Sequence, residues 1–186
     1  MTDSPFSGLA SGAPALWTDV MAAERGGISY KLTVAEVLRS APSGNVALGA
    51  LALTTISTGI NNVAVGQNAL KLNVNASHNT AVGLDAMAAT NGAASVFNTA
   101  VGAGALQSNT TGHDNTILGG HAALDAVDCD YTVALGVDTM RFHVSGDGNT
   151  AVGTSSGEQN VDGAGNTFVG WESGKLGTHG QYNVFL

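Results

Sequence analysis

Several groups of residues in this 186-residue chain have types and spacings that chemistry uses. Gly153-Thr154-Ser155-Ser156-Gly157 matches G-x-S-x-G, the turn that lifts a nucleophilic serine between a strand and a helix in acyl-transfer enzymes. Asp128-Cys129-Asp130 and Asp147-Gly148-Asn149 offer oxygen donors of the kind that hold a hard cation. Five histidines, His78, His113, His121, His143 and His179, are potential metal or anion ligands if an assembly gathers copies of one on an axis. Trp171 presents a ring able to stack on a sugar or a partner surface. Asn75-Ala76-Ser77 and Asn109-Thr110-Thr111 have the form of glycosylation acceptors.

Each signal weakens once the rest of the chain is aligned beneath it. Gly153 is one of a series: Gly49, Gly66, Gly83, Gly102, Gly119, Gly136, Gly153 and Gly170, with steps of 17, 17, 19, 17, 17, 17 and 17 residues. Every one ends the phrase Asn-(Thr/Val)-Ala-(Val/Leu)-Gly or a close variant, and a ninth copy opens at Asn183-Val184-Phe185-Leu186. No helical pattern follows Ser155, so the elbow reading lapses. The acids fall where the period places exposed turns, and the histidines share no column. Neither catalytic residues nor a metal or cofactor site are assigned, and the chain is not read as an enzyme.

The elements that must carry these residues follow from the period. A 17-residue unit cannot bury a core alone; it stacks on its neighbours as a solenoid. Aligned on the glycine, the preceding residue is always aliphatic (Leu48, Val65, Val82, Val101, Leu118, Leu135, Val152, Val169, Leu186), which marks the expected core. Two before the glycine stand Ala47, Ala64, Ala81, Ala100, Ala134 and Ala151, with Ile117, Phe168 and Phe185 as exceptions. Adjacent strand residues point to opposite faces, so one face carries bulky aliphatics and the other mostly methyl groups. The column four before the glycine is Asn in eight of nine copies, Thr132 being the exception, and stacked Asn amides can bond along an array. A second apolar pair, such as Ala69-Leu70, reads as a second short strand, and a Gly turn closes the coil. Eight steps of about 4.8 Å make a rod roughly 40 Å long. The two extra residues between Gly83 and Gly102 are assigned to a bulge around Asn91-Gly92.

Composition narrows the function classes. Net charge is −8, and from Asn45 onward ten acids face three bases, Lys71, Arg141 and Lys175. An acidic surface without basic stripes repels a phosphate backbone, which argues against nucleic acid as a partner. Charged residues make up 11% of the chain and Gly 26 of 186, with no three-residue period, so the chain is neither collagen-like nor an ordinary globular domain. The single Cys129 rules out an intrachain disulfide framework and fits a reducing compartment. No apolar run approaches ~18 residues, and no basic n-region precedes an apolar h-region, so neither membrane insertion nor export is expected.

Residues 1–44 differ in kind from the array at 45–186. They hold all three Pro, three of the six bases and no repeat. Asp19 to Glu24 and Ile28 to Leu32 flank Arg25-Gly26-Gly27 and read as a β-hairpin. Thr33-Val34-Ala35-Glu36 has capping-box spacing, for a short helix ending before Pro42. A piece this small lacks a stable core of its own and needs a partner.

Runs such as Asn98-Thr99-Ala100-Val101-Gly102-Ala103-Gly104-Ala105-Leu106 resemble the repeats of bacteriophage tail fibres and related virion appendages. The phrase also resembles repeats in the heads of trimeric autotransporter adhesins. Phe6-Ser7-Gly8-Leu9, Leu16 to Asp19 and Gly26 to Val34 are similar to the virion-attachment segment that opens many phage fibres. The resemblance implies an all-β parallel solenoid or β-roll forming a homotrimeric rod. It docks to a phage tail or capsid protein through residues 1–44, belongs to a virion assembled in the host cytoplasm, and projects toward a host surface and its glycans. By the same analogy the three chains meet on Ala47, Ala64, Ala81, Ala100, Ala134, Ala151, Phe168 and Phe185, with Trp171 as a surface contact. The residues themselves leave open that both faces line one chain's core. The alternative function is a free carbohydrate- or surface-binding module, ice included. It rests on a partial threonine ladder three before the glycine (Thr80, Thr99, Thr116, Thr150, Thr167), interrupted by Val46, Val63, Val133 and Val184.

Overall fold

The computed structural model describes residues 21–25, 28–32, 44–177 and 179–186, with side chains from residue 44 onward. Two compact units divide the chain, Met1–Val37 and Leu38–Leu186. In the first, β1 (Met21–Arg25) and β2 (Ile28–Leu32) pair antiparallel with Arg25 opposite Ile28. The helix expected from Thr33 lies outside the described residues.

The second unit is a parallel β-solenoid. Its strands are β3 (Val46–Leu48), β4 (Val63–Val65), β5 (Thr80–Val82), β6 (Thr99–Val101), β7 (Thr116–Leu118), β8 (Val133–Leu135), β9 (Thr150–Val152), β10 (Thr167–Val169) and β11 (Val184–Phe185). They form one nine-stranded sheet in sequence order. Pairing is column on column, Ala64 beside Ala81 and Ala81 beside Ala100. Coils 1 to 8 therefore begin at Asn45, Asn62, Asn79, Asn98, Asn115, Thr132, Asn149 and Asn166, and positions within a coil are numbered from these residues.

Only one strand forms per coil. The second apolar segment, expected as a strand, is a run of turns. Position 7 (Leu51, Asn68, Asp85) and position 9 (Leu53, Leu70, Met87) both take left-handed backbone, with φ between 48° and 61°, and so does the residue just before the next coil (Asn61, His78, Phe97), which is position 17 in every coil but the longer third. Every described non-glycine residue of positive φ falls at one of these three positions, and none is β-branched. A branched Cβ is the one least able to occupy that region, so its absence there is steric. Hydrogen bonds to adjacent coils offset the conformational cost: Asn68 N–H donates to Ala50 O at 2.9 Å, Leu70 N–H to Ala86 O at 3.1 Å and His78 N–H to Ile60 O at 2.9 Å.

The position-5 glycines do a different job. Their φ lies between 123° and 145°, and a Cβ on any from Gly49 to Gly153 would collide with backbone of the next coil's glycine. Close approach and a Gly-only conformation coincide there.

The core reverses the sequence expectation about faces. The alanines assigned to an interchain surface point into the coil of a single chain: Ala64, Ala81, Ala100, Ala134 and Ala151 are wholly buried, Ala47 nearly so, and Phe168 is buried. They belong to one hydrophobic cluster with Leu53, Leu70, Met87 and Leu106 of position 9. Side chains sealed within one coil cannot meet another chain. The aliphatics before the glycine, expected as the core, lie on the outer face of the sheet instead. Phe185, partly exposed, stacks on Phe168 with ring centroids 5.1 Å apart.

Candidate functional site

Two columns line the outer face of the sheet. Position 2 carries Thr or Val, position 4 carries Val or Leu, and position 3 between them points inward. Leu48 is 43% exposed, Leu118 46%, Val152 36% and Val169 42%, so the strip stays apolar and partly open along the array. Thr80, Thr99, Thr116, Thr150 and Thr167 stand beside it on the same face.

Behind that face runs the asparagine ladder that fixes it. Asn62 shows the pattern. Its Nδ2 donates to Ala76 O of its own coil at 2.9 Å, and its Oδ1 accepts the backbone N–H of Asn79 at 3.0 Å. Asn98 repeats it with Gly112 O at 2.9 Å and Asn115 N at 3.1 Å. Each amide thus closes one coil and starts the next, leaving neither buried group unpaired.

The ladder is interrupted at Thr132, whose hydroxyl turns to Asp130 O instead. In that coil Gly146 O receives Asn149 Nδ2 at 3.0 Å and faces His143 Nε2 at 2.9 Å. His143 is fully buried at position 12, where Asn73, Asn109 and Asn160 stand in other coils, and its Nδ1 lies 2.6 Å from Asn160 O. Both ring nitrogens face carbonyls, so a neutral ring with one N–H bonds only one of them. Burial lowers its pKa, partly offset by the Asn160 and Gly146 carbonyls and by Asp147 and Asp162.

The remaining sequence-singled residues fall into separate places. Asp130 accepts His113 N–H at 2.8 Å, Asp147 accepts Asp130 N–H at 3.1 Å and Asp128 accepts the Thr111 hydroxyl at 2.9 Å. Their carboxylates cap backbone or hydroxyl donors of neighbouring coils. His113 also bridges Asp114 at 3.0 Å and Asp130 at 3.1 Å, and His179 meets Asp162 at 2.6 Å. Among the described residues no group of three or more His, Cys, Asp or Glu could hold a metal ion. Cys129 is a free, buried thiol whose burial pushes its pKa up to about 12. Ser155 sits at position 7 with φ 55°, in a run of turns, and the strand–turn–helix setting of a nucleophile elbow is not formed around it. Trp171 is 75% exposed at position 6 of coil 8.

Reading the sequence alone missed a cleft between coils 2 and 4, lined by Asn68, Lys71, Leu72, Asp85, Ala88, Ala89, Gln107 and Ser108. The available signal was the pair Ala88-Ala89, since no other coil has alanine at both positions 10 and 11.

These features define a single-sheet parallel β-solenoid with an apolar outer strip. No family model, curated protein or solved structure matches the chain.

Proposed function

We propose that this chain is a structural, non-catalytic component of a phage particle, a homotrimeric fibre or spike. Residues 1–44 attach it to a tail or capsid protein, and the solenoid projects toward the host surface. The observation that carries the reading is the outer strip of Leu48, Val65, Val82, Val101, Leu118, Leu135, Val152 and Val169, half-covered by its own chain. Three copies placing this face on a common axis would bury it, and a closed rotational assembly uses the same patch on every subunit. The interchain contact thereby moves from the alanine column, which the coil itself consumes, to the aliphatic column beside it. Interchain burial then holds the rod, and many copies on one particle turn weak contacts into avidity.

Native mass spectrometry tests the assembly: a mass near three times 18.5 kDa is expected. Val101→Glu should give folded monomers, whereas a wild-type monomer would sink the trimer. Removing residues 1–44 should leave a folded array absent from particles, and its continued incorporation would refute the docking role.

A second reading draws on the threonines of the same outer face. If the chain is monomeric, Thr80, Thr99 and Thr116 beside Val82, Val101 and Leu118 form an open surface for a free binding module, ice included. Thermal hysteresis by the monomer would favour it.

A further inference from the structure

The cleft between coils 2 and 4 exists because coil 3 places Ala88 and Ala89 where its neighbours carry Lys71-Leu72 and Gln107-Ser108. The missing side chains leave a depression of about 270 Å³. Its floor is fixed, since Leu72 N–H donates to Ala88 O at 3.1 Å and Ala89 N–H to Gln107 O at 3.0 Å. The cleft lies on the turn segment of the coil, away from the apolar strip.

Its polar groups are left uncommitted. Arg141 pairs with Asp138 at 3.3 Å, and Lys175 with Glu172 at 2.6 Å and Glu158 at 3.5 Å. Lys71, the other array cation, has no ion-pair or side-chain hydrogen-bond partner among the described residues. Asp85 lines the same cleft without pairing with Lys71, and accepts one bond, from Asn68 Nδ2 at 2.7 Å. The other end of that amide, Asn68 Oδ1, is buried with no partner. Gln107 and Ser108 add an amide and a hydroxyl without internal side-chain partners. The cleft thus presents a cation, a carboxylate, an amide and a hydroxyl that the chain's own side chains leave largely available to a ligand.

We propose that this cleft binds one neutral pyranose unit of a surface glycan. Lys71 donates to hydroxyl oxygens, Asp85 accepts from hydroxyls, and Gln107 and Ser108 do both. Ala88, Ala89 and Leu72 receive the C–H face of the ring. Charge selects neutrality. Lys71 and Asp85 cancel within the cleft, and a chain of net −8 disfavours an added anion. Size selects a single ring, because the volume lies just below the range of about 300–1,000 Å³ that holds drug-sized ligands. The depression is open to solvent, so the sugar's neighbours in a chain can extend outward. This inference rests on the host-surface reading above, for which it names a ligand class and a site.

The test is an NMR titration of the full-length protein with methyl α- and β-hexopyranosides of glucose, galactose and mannose, and with glucuronic acid as the charged control. At least one neutral hexoside should give saturable shifts in the Asn68 and Gln107 side-chain amides and the backbone amides of residues 85–89. Ala89→Leu fills the cleft with a residue that position 11 already carries in coil 2, so it should fold normally and abolish the shifts. Lys71→Gln should weaken binding about tenfold, the loss expected for a hydrogen bond from a charged group. Absence of saturable shifts with every neutral hexoside, response to glucuronic acid alone, or binding that survives Ala89→Leu would each overturn the proposal. Native mass of the same samples reports the trimer independently. Lost binding at an intact trimer mass overturns the sugar site and leaves the fibre reading standing, whereas a monomer that still binds does the reverse.

Discussion

Coils 1 to 4 and coils 7 to 8 solve one packing problem with opposite residues. In the first group position 3 is Ala and position 9 is a large Leu or Met, as in Ala81 with Met87. In the second group position 9 is Gly157 or Gly174, and Phe168 supplies the volume from position 3. A Cβ at Gly157 would fall 2.8 Å from the Phe168 ring, and one at Gly174 would also strike that ring. Coil 5 is intermediate, with Ile117 at position 3 and Ala123 at position 9. The interior therefore conserves volume while residue identity migrates from one side to the other.

The largest effects should come from breaking that exchange. Phe168→Ala opens a cavity between two glycines and should cost about 3–5 kcal/mol in denaturant unfolding. Adding Gly157→Leu should recover part of the loss, because Leu at position 9 already occupies left-handed backbone in coils 1, 2 and 4. If the double variant is no more stable than the single, the two positions do not share one volume.

Next comes the ladder. Asn98→Ala removes the donor to Gly112 O and the acceptor for Asn115 N–H, both buried, and should cost about 2–4 kcal/mol. Thr132→Asn writes the regular residue into the irregular coil, yet Gly146 O already faces Asn149 and His143. Its effect on the unfolding midpoint should stay within about 1 kcal/mol. A large gain there would mean that the Thr132 coil is under-bonded rather than rewired.

A smaller effect separates the same two coils by pH. Burial holds His143 below its ordinary value of 6.5, so the unfolded chain takes up a proton that the folded chain resists. That contribution is complete above about pH 6.5 and is lost as pH falls below it, by at most about 1.4 kcal/mol per pH unit. His143→Asn, which copies Asn73 and Asn109, should flatten the pH dependence of stability between pH 6.5 and 5. An unchanged slope would place the titration on another group.

The smallest contrast is between two glycines. Gly148 sits at position 17 with φ 69° and nothing within 4 Å of an added Cβ, where other coils carry Asn61 or Asp114. Gly148→Asn should be neutral or stabilising by about 0.5 kcal/mol, through the unfolded state. Gly119→Ala, at position 5, should instead destabilise by several kcal/mol as its methyl meets backbone of Gly136.

The period, the parallel stack and the roles of the Asn and Gly columns were legible because each needs one residue type in nearly every coil. The sequence pattern also placed the extra residues of coil 3 correctly, in the Asn91-Gly92 stretch. Which face turns inward was not legible from hydrophobicity. The coil interior is too narrow at position 3 for anything larger than Ala unless position 9 shrinks, so the more apolar column was forced outside. The expected second strand rested on the apolar pair at positions 8 and 9, such as Ala69-Leu70, whereas the coil demands at position 9 a left-handed turn that Leu and Met tolerate and Val would not. The cleft was invisible for another reason: it is made by side chains that are missing from one coil relative to two others, which no single motif encodes.

Coil 3 also shows how the array keeps count. It is two residues longer than its neighbours, yet Asn98 N–H still finds Asn79 Oδ1 at 3.0 Å, and Gly92 N–H bonds Thr110 O at 3.1 Å. The surplus is discharged between Thr90 and Ser95, before the next strand begins. For heredity this separates two kinds of error. An in-frame insertion at that corner is absorbed within one turn and passes silently to descendants, whereas the same insertion between an Asn and its Gly would set every later column out of step. Length variation in such genes should therefore accumulate at one corner of the coil, and a foreign peptide spliced there would be carried on the outside of the stack without the stack having to learn a new sequence.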